Sequence, residues 1–398
     1  MAAASVGNLF LDIQSVKIPR TDRGSHRTAH TAGKLRISDF RFESGDVLPY
    51  VDVAFETWGE LNTARDNAVV VCHALTGNSH CGPGGNTPGW WEGLIGPGKT
   101  FDTDFKFVIA SNVLGGCFGS TGPMSLAEDK RPYALRFPLL TIRDMVRAQV
   151  AVLDAFQVQE VDTVIGGSLG GMQAWEWGFL APERVRHVIA IAAHAAFSPL
   201  AMGYNEAMRQ AIVSDPGWHQ GEYYGSGMTP LAGMMTARSI GMLTYRTDEL
   251  FWQRFGRGNA VRGGLDPDGD LPVTALQAFT TPQFAVESYL HHQGRKLAKT
   301  FDANTYLYLT RAMDGHDVGR GRGGLDAALS GFVPQLTVIG IDSDYLYGVN
   351  DLKGSVRLAR AGGVDAEYLE MSSVYGHDAF LMEQEQVASL VQSIKERV

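Results

Sequence analysis

Cysteine is scarce in this chain. Three thiols, Cys72, Cys81 and Cys117, stand among 398 residues. They cannot pair completely and their spacing matches no zinc motif, so neither a disulfide framework nor a metal centre is expected. A reducing, cytoplasmic setting follows as the simplest expectation. Long apolar runs are missing too. None approaches the roughly 20 residues that a membrane-spanning helix needs, so no membrane role is expected. Positive charge is in deficit: 34 Lys and Arg face 43 Asp and Glu, a net charge of −9. That balance argues against nucleic acid as the main partner. The N-terminal Met1-Ala-Ala-Ala-Ser-Val6 lacks a basic start followed by an apolar core, so no signal peptide is expected. No internal repeat is visible.

What the chain has is core-forming material: 44% of its residues are apolar. The length suits one large α/β domain with an insertion, or two domains. Residues 1–34 are polar, with Arg20, Arg23, Arg27, His26 and His30, and read as a flexible N-terminal tail. Residues 35–57 alternate as a half-buried antiparallel hairpin would. Val69 to Cys72 is a short β-branched strand running into His73-Ala-Leu-Thr-Gly77. Residues 81–100 are rich in glycine, with Trp90 and Trp91, and read as a long functional loop. A strand at 107–111, an amphipathic helix at 141–156 and buried strands at 161–165 and 188–192 follow. The alternation then stops. Residues 197–331 show helical patterns and turns, and strand–helix order resumes at 336–340, 351–361, 366–371 and 379–396. The expected architecture is α/β: a mostly parallel sheet with helices on both faces and an inserted helical lid. The core would be 35–196 and 332–398, with the lid, 197–331, over the carboxyl ends of the strands.

The organising stretch is Val161-Asp-Thr-Val-Ile-Gly-Gly-Ser168-Leu-Gly-Gly-Met-Gln173. A strand ends in Gly-x-Ser-x-Gly and a helix begins. Such a turn lifts the serine hydroxyl above the sheet at a helix N-terminus, where dipole and free N–H groups favour negative charge. A serine nucleophile needs a histidine base, itself oriented by a carboxylate, and in this architecture the order is serine, acid, histidine. His377 lies in a loop after the last strand and is the candidate base. His316 is second, within the insertion; His73 and His80 lie in the loop region facing the site and are compatible with a structural role. After the strand at 336–340 both Asp342 and Asp344 qualify as the acid. Asp351 opens the next helix and reads as its cap. The oxyanion would be held by the backbone N–H groups of Leu169 and of Leu75 in the loop after the 69–72 strand. Gly319-Arg-Gly-Arg-Gly-Gly324 fits a dinucleotide fingerprint as a string, but no strand precedes it and it reads as a surface loop. The residues alone therefore describe an α/β-hydrolase with a serine triad. They leave open whether water or another nucleophile takes the acyl group.

Several stretches together narrow this. They are Cys72-His-Ala-Leu-Thr-Gly77, Asn112-Val-Leu-Gly-Gly-Cys-Phe-Gly-Ser-Thr-Gly-Pro123, Gly166-Gly-Ser-Leu-Gly-Gly-Met-Gln173, Asn205-Glu-Ala-Met-Arg-Gln-Ala-Ile212, Ala237-Arg-Ser-Ile-Gly-Met-Leu-Thr-Tyr-Arg246, Phe301-Asp-Ala-Asn-Thr-Tyr306, Ser343-Asp-Tyr-Leu-Tyr347 and Gly376-His-Asp-Ala-Phe-Leu381. In these, from about residue 35 to the C-terminus, the chain resembles the homoserine O-acetyltransferase family. The resemblance implies that Asp344 is the triad acid. It implies that Arg238 binds the substrate carboxylate and Asp378 its ammonium. It implies acetyl-CoA as co-substrate with no permanent cofactor, a ping-pong acyl-serine cycle yielding O-acetylhomoserine for methionine biosynthesis, and a homodimer through the lid helices. Leu169 stands where a methionine is common, and Gly348 where a proline often follows the Ser-Asp-x-Leu-Tyr run. The motif around Phe118 varies among relatives using acetyl, succinyl, homoserine or serine. A succinyl donor, a serine acceptor, or an ester or thioester hydrolase with the same triad are the competing expectations.

Overall fold

The central strands of this chain bury both faces, and that places them in the middle of a layered molecule. The computed structural model describes residues 29–85, 87–260 and 274–395. Eight strands form one sheet in the order β1-β2-β4-β3-β5-β6-β7-β8. They are β1 His30–Arg41, β2 Val47–Trp58, β3 Ala68–Cys72, β4 Phe107–Ser111, β5 Val161–Gly167, β6 Val185–Ile191, β7 Gln335–Ile341 and β8 Ala366–Met371. The β1–β2 and β2–β4 pairs are antiparallel and all later pairs are parallel. In β3, Val70 belongs to the apolar cluster on one face, and Val69 and Val71 to the cluster on the other. Val164 and Ile165 divide likewise in β5. This is period-2 alternation with apolar residues in both phases, as a strand covered on both sides requires. Each Val or Ile so buried contributes roughly 1.5–3 kcal/mol.

On one face lie α1 (Ile142–Ala155), α2 (Leu169–Leu180) and later α10 (Val349–Ala361). A reciprocal capping box between Thr141 and Asp144 starts α1. The other face is covered by Trp91, Leu94, Ile95 and Phe101 from the glycine-rich loop, and by Val387, Val391 and Ile394 of the last helix. The loop thus does the work of a helix, and Trp91 locks it by donating to the Phe380 carbonyl at 2.9 Å.

Between β6 and β7 the described residues hold helices and turns: α3 Pro199–Val213, α4 Leu231–Tyr245, α5 Asp248–Arg254, α6 Ala275–Thr280, α7 Ala285–Ala298, α8 Ala303–Asp314 and α9 Leu325–Ser330. Helix α4 packs between α3 and α7. After β8 come α11 Ala379–Met382 and α12 Gln384–Lys395. Met208, Met234 and Met242 are core residues of the insertion, each 2% exposed.

Two local expectations need correction. Residues 1–28 of the expected tail lie outside the described residues, but His30 to Lys34 belong to β1, because β2 extends to Trp58 and offers them backbone partners (His30 pairs with Trp58). Asp351 stands in the first turn of α10, whose N-cap is Gly348. The arginines of the 319–324 loop are taken up by carboxylates: Arg322 by nearly buried Glu176 at 2.6 Å, and Arg320 by Glu43 at 2.9 Å.

Candidate functional site: the carboxyl ends of β5, β7 and β8

Ser168 joins β5 to α2 and adopts φ 58°, ψ −124°. A non-glycine residue there is strained, and the strain is held by packing on all sides. The Ser168 N–H donates to the Ile191 carbonyl at 3.0 Å. A Cβ at Gly170 would collide with the Cys72 carbonyl oxygen, and one at Gly166 with the Gly170 backbone. The glycines of the motif thus let the turn close against β3. Leu169 opens α2, and its N–H has no acceptor among the described residues; nor has that of Leu75.

The Leu75 loop is held by two polar anchors. His73 is buried, donates from Nδ1 to the Ala74 carbonyl at 2.8 Å and accepts the Val113 N–H on Nε2 at 3.0 Å. Both ring nitrogens are thereby committed to a neutral imidazole, and burial pushes its pKa down to about 4. Gln173 of α2 donates to the His73 carbonyl at 3.1 Å. His73 is thus a strut that joins the β3 loop to β4 and α2.

The candidate acid and base come from the loops after β7 and β8. Asp344 Oδ2 meets His377 Nδ1 at 2.7 Å, with side-chain exposures of 0% and 3%. Asp344 Oδ1 accepts the N–H groups of Leu346 and Tyr347 at 2.8 and 3.0 Å. Three donors thus fix the carboxylate, and Nδ1–H must be the protonated side of the ring. Burial alone would lower the pKa of His377, but the Asp344 charge and hydrogen bond outweigh it and hold it above the ordinary value. His377 Nε2 is buried with no hydrogen-bond partner among the described residues. Asp342, the other candidate acid, is engaged elsewhere: it accepts from Ser372 Oγ at 2.6 Å and from the Ser373 N–H at 3.1 Å. His316 is also remote in role. It is buried, its Nε2 contacts the His194 carbonyl at 3.1 Å, and burial lowers its pKa to about 4.

Two aromatic side chains bridge the serine turn and the imidazole. Tyr347 stacks on His377 with centroids 4.8 Å apart and planes 13° from parallel. Its buried hydroxyl interacts with Ser168 without completing a hydrogen bond. Phe380 packs edge-on against His377 at 5.8 Å and occupies the space a Cβ on Gly167 would need.

The inserted helices close the other side. Tyr245, at the end of α4, lies 5.7 Å from the His377 ring, and the Arg238 guanidinium sits 5.8 Å above the Tyr245 ring. Arg238 is half-buried and forms no ion pair among the described residues. Asp378 has a partner within the chain: Arg246 Nη2 at 2.8 Å. Arg246 keeps Nε and Nη1 buried without partners. Nothing in residue type or spacing singles out Tyr245, Arg246 or Tyr347. All three lie in the quoted motif stretches, which was the only signal for them.

A family model described as the alpha/beta hydrolase fold matches residues 67–281. The homoserine O-acetyltransferase of Symbiobacterium thermophilum is 49% identical over 346 residues, covering 86% of this chain and 88% of that protein. That of Thermobifida fusca is 47% identical over 357 residues, covering 88% and 90%. Among solved structures, the homoserine O-acetyltransferase from Bacillus anthracis superposes with a TM-score of 0.83 at 25% identity, covering 91% of this chain and 96% of that one. Esterase E22 superposes with a TM-score of 0.82, also at 25% identity, covering 92% and 99%.

Proposed function

The chain belongs to the homoserine O-acetyltransferase family of α/β-hydrolase-fold enzymes, and from that premise we propose a ping-pong transfer of acetyl from acetyl-CoA to L-homoserine through Ser168. Ser168 Oγ attacks the thioester carbonyl and His377 Nε2 takes its proton. The oxyanion is held by the N–H groups of Leu75 and Leu169. Collapse breaks the C–S bond, and the CoA sulfur leaves with the proton from His377. Homoserine then enters, with its carboxylate on Arg238 and its ammonium on the Asp378 oxygen that Arg246 does not occupy. His377 removes the hydroxyl proton as that oxygen attacks the acetyl-serine. Ser168 regains the proton, and O-acetyl-L-homoserine leaves for methionine synthesis. No permanent cofactor takes part.

The observation that carries the reading is the buried Asp344–His377 pair with Nε2 uncommitted, joined through Tyr347 and Phe380 to a serine turn held at positive φ. Water must be kept from the acetyl-enzyme, and the helices between β6 and β7 are proposed to act as that lid. A homodimer through the same helices is supported by exposed apolar side chains there: Leu231 at 46%, Leu243 at 50% and Trp252 at 59%. No described helix is long and apolar enough to cross a membrane. The three free thiols support a cytoplasmic setting.

A second reading, hydrolysis of esters or thioesters, is favoured by the likeness to esterase E22. CoA release from acetyl-CoA, measured with and without homoserine, separates the two. Release is expected to be a single burst without acceptor and continuous with it. Equally fast continuous release without homoserine overturns the transferase cycle. Succinyl-CoA and L-serine in the same assay test the pairing of donor and acceptor.

A further inference from the structure

A second cluster of ligating side chains lies outside the triad. His30 opens β1, Glu56 is near the end of β2, and His80 stands in the loop after β3. His30 pairs with Trp58 and Ala32 with Glu56, so His30 and Glu56 are diagonal neighbours on one face of the β1–β2 ribbon. His30 Nε2 and His80 Nδ1 both meet the same oxygen, Glu56 Oε2, at 2.9 and 2.8 Å. Among the described residues this is the one group whose His, Cys, Asp or Glu donor atoms all lie within 4.8 Å of one another.

The surroundings fix each donor. His80 Nε2 faces the Thr87 carbonyl at 2.8 Å, and a carbonyl only accepts, so Nε2 carries a proton. That leaves Nδ1, the nitrogen facing Glu56, as the free lone pair of a neutral ring. Ser79 donates to the other Glu56 oxygen at 3.0 Å and aims Oε2 at the histidines. His30 is stacked on Trp58, with centroids 5.3 Å apart and planes 19° from parallel. Metal-binding imidazoles and carboxylates are held in this way, each with its outer atom hydrogen-bonded. The side chains are 27%, 13% and 19% exposed for His30, Glu56 and His80, enough for an ion and one water to enter. Without an ion, one carboxylate oxygen must receive N–H from two rings, and His80 must then be an imidazolium. A divalent cation replaces those protons with one shared charge.

We propose that His30, Glu56 and His80 form a binding site for a divalent cation of the zinc class. Two imidazole nitrogens and one carboxylate oxygen match the preference of such ions, and water would complete four-coordination. Tetrahedral zinc sets ligand atoms roughly 3.3 Å apart, within small ring rotations of the distances seen here. Uptake releases the displaced protons to solvent, so binding weakens in acid. Bound metal would pin the glycine-rich loop to the β1–β2 ribbon. The proposal does not depend on the acetyltransfer reading.

The test uses untagged, full-length protein stripped with a chelator and titrated with Co2+, then with Zn2+. One equivalent of Co2+ is expected to give the visible absorption of a four- or five-coordinate ion with nitrogen ligands. Zn2+ should displace it and raise the melting temperature. Glu56→Gln and His80→Gln are each expected to weaken Zn2+ binding by at least about tenfold. His30→Gln, at the first residue of β1, leaves the Glu56–His80 pair intact and serves if the other two fail to fold. Absence of saturable one-to-one binding, or equal affinity in every folded variant, overturns the proposal.

Discussion

The two halves of the site are built by different rules. The sheet half consists of Ser168, Asp344 and His377 on short loops after β5, β7 and β8, and the atoms that orient its groups are committed, while His377 Nε2 and the Leu75 and Leu169 N–H groups stay open. Asp344 has three partners, and the loop carrying Leu75 is tied down through His73 and Gln173. The inserted half is looser. Arg238 is half-buried with one aromatic contact, and Arg246 keeps two buried nitrogens unpaired beside Asp378. The difference fits the proposed roles. A general base must have its tautomer set before substrate arrives, whereas a carboxylate clamp is completed by the substrate itself. Substitutions in the first half should therefore damage both half-reactions, and those in the second only the homoserine half.

The strongest attempt to break that division is Asp344→Asn. It leaves the shape and removes the charge. Acetylation of Ser168 by acetyl-CoA and transfer to homoserine are both expected to fall by about 10³–10⁴. The pH profile gives a second reading. His377 must be neutral to accept a proton, and Asp344 holds its pKa above 6.5. Wild-type activity should therefore be lost as pH falls through a value above 6.5. In the variant the raising influence is gone and burial remains, so the same limb moves to lower pH. A limb that stays in place, measured by stopped-flow CoA release, would show that Asp344 does not govern the imidazole.

Arg238→Ala tests the other side. Losing one charged contact to the substrate carboxylate is expected to raise the homoserine KM by about 10–100-fold. Acetylation of Ser168, followed by mass spectrometry in the absence of homoserine, should proceed at the wild-type rate. Loss of acetylation instead would move Arg238 from acceptor binding to the CoA half.

How far this division could be read in the residues varies with distance along the chain. The sheet was legible because runs such as Val69–Cys72 and Leu336–Gly340 are apolar in both phases of the strand period. The Ser168 turn was legible because motif, strand and helix are contiguous. The acid was not. Asp342 and Asp344 are two residues apart, and only the fold reveals that Asp342 turns to Ser372 and Ser373 while Asp344 meets His377. The Asp378–Arg246 pair joins residues more than a hundred positions apart, and the His30–Glu56–His80 group spans three elements. The glycine-rich composition marks a loop, but nothing in it announces that Trp91, Leu94 and Ile95 cover a sheet face in place of a helix.

The junction between the halves gives the smallest and most discriminating effect. After α4 the chain touches the loops after β7 and β8: Thr247 Oγ1 donates to the Val374 carbonyl at 2.5 Å, and Tyr345 of the Asp344 loop donates to the Arg246 carbonyl at 2.8 Å. Thr247 also caps α5 by accepting the Leu250 N–H at 3.1 Å. Thr247→Val keeps the volume and deletes both bonds, at a cost of about 1–2 kcal/mol in stability. If the insertion only covers the site, kinetics should not change. If the junction sets where Arg238 and Asp378 stand relative to His377, the homoserine KM should rise by about fivefold while Ser168 acetylation keeps its rate. That split, read beside the melting temperature, distinguishes a coupled clamp from a passive roof. A loss shared equally by both half-reactions would mean that the insertion braces the His377 loop itself, and the two halves would then have to be treated as one.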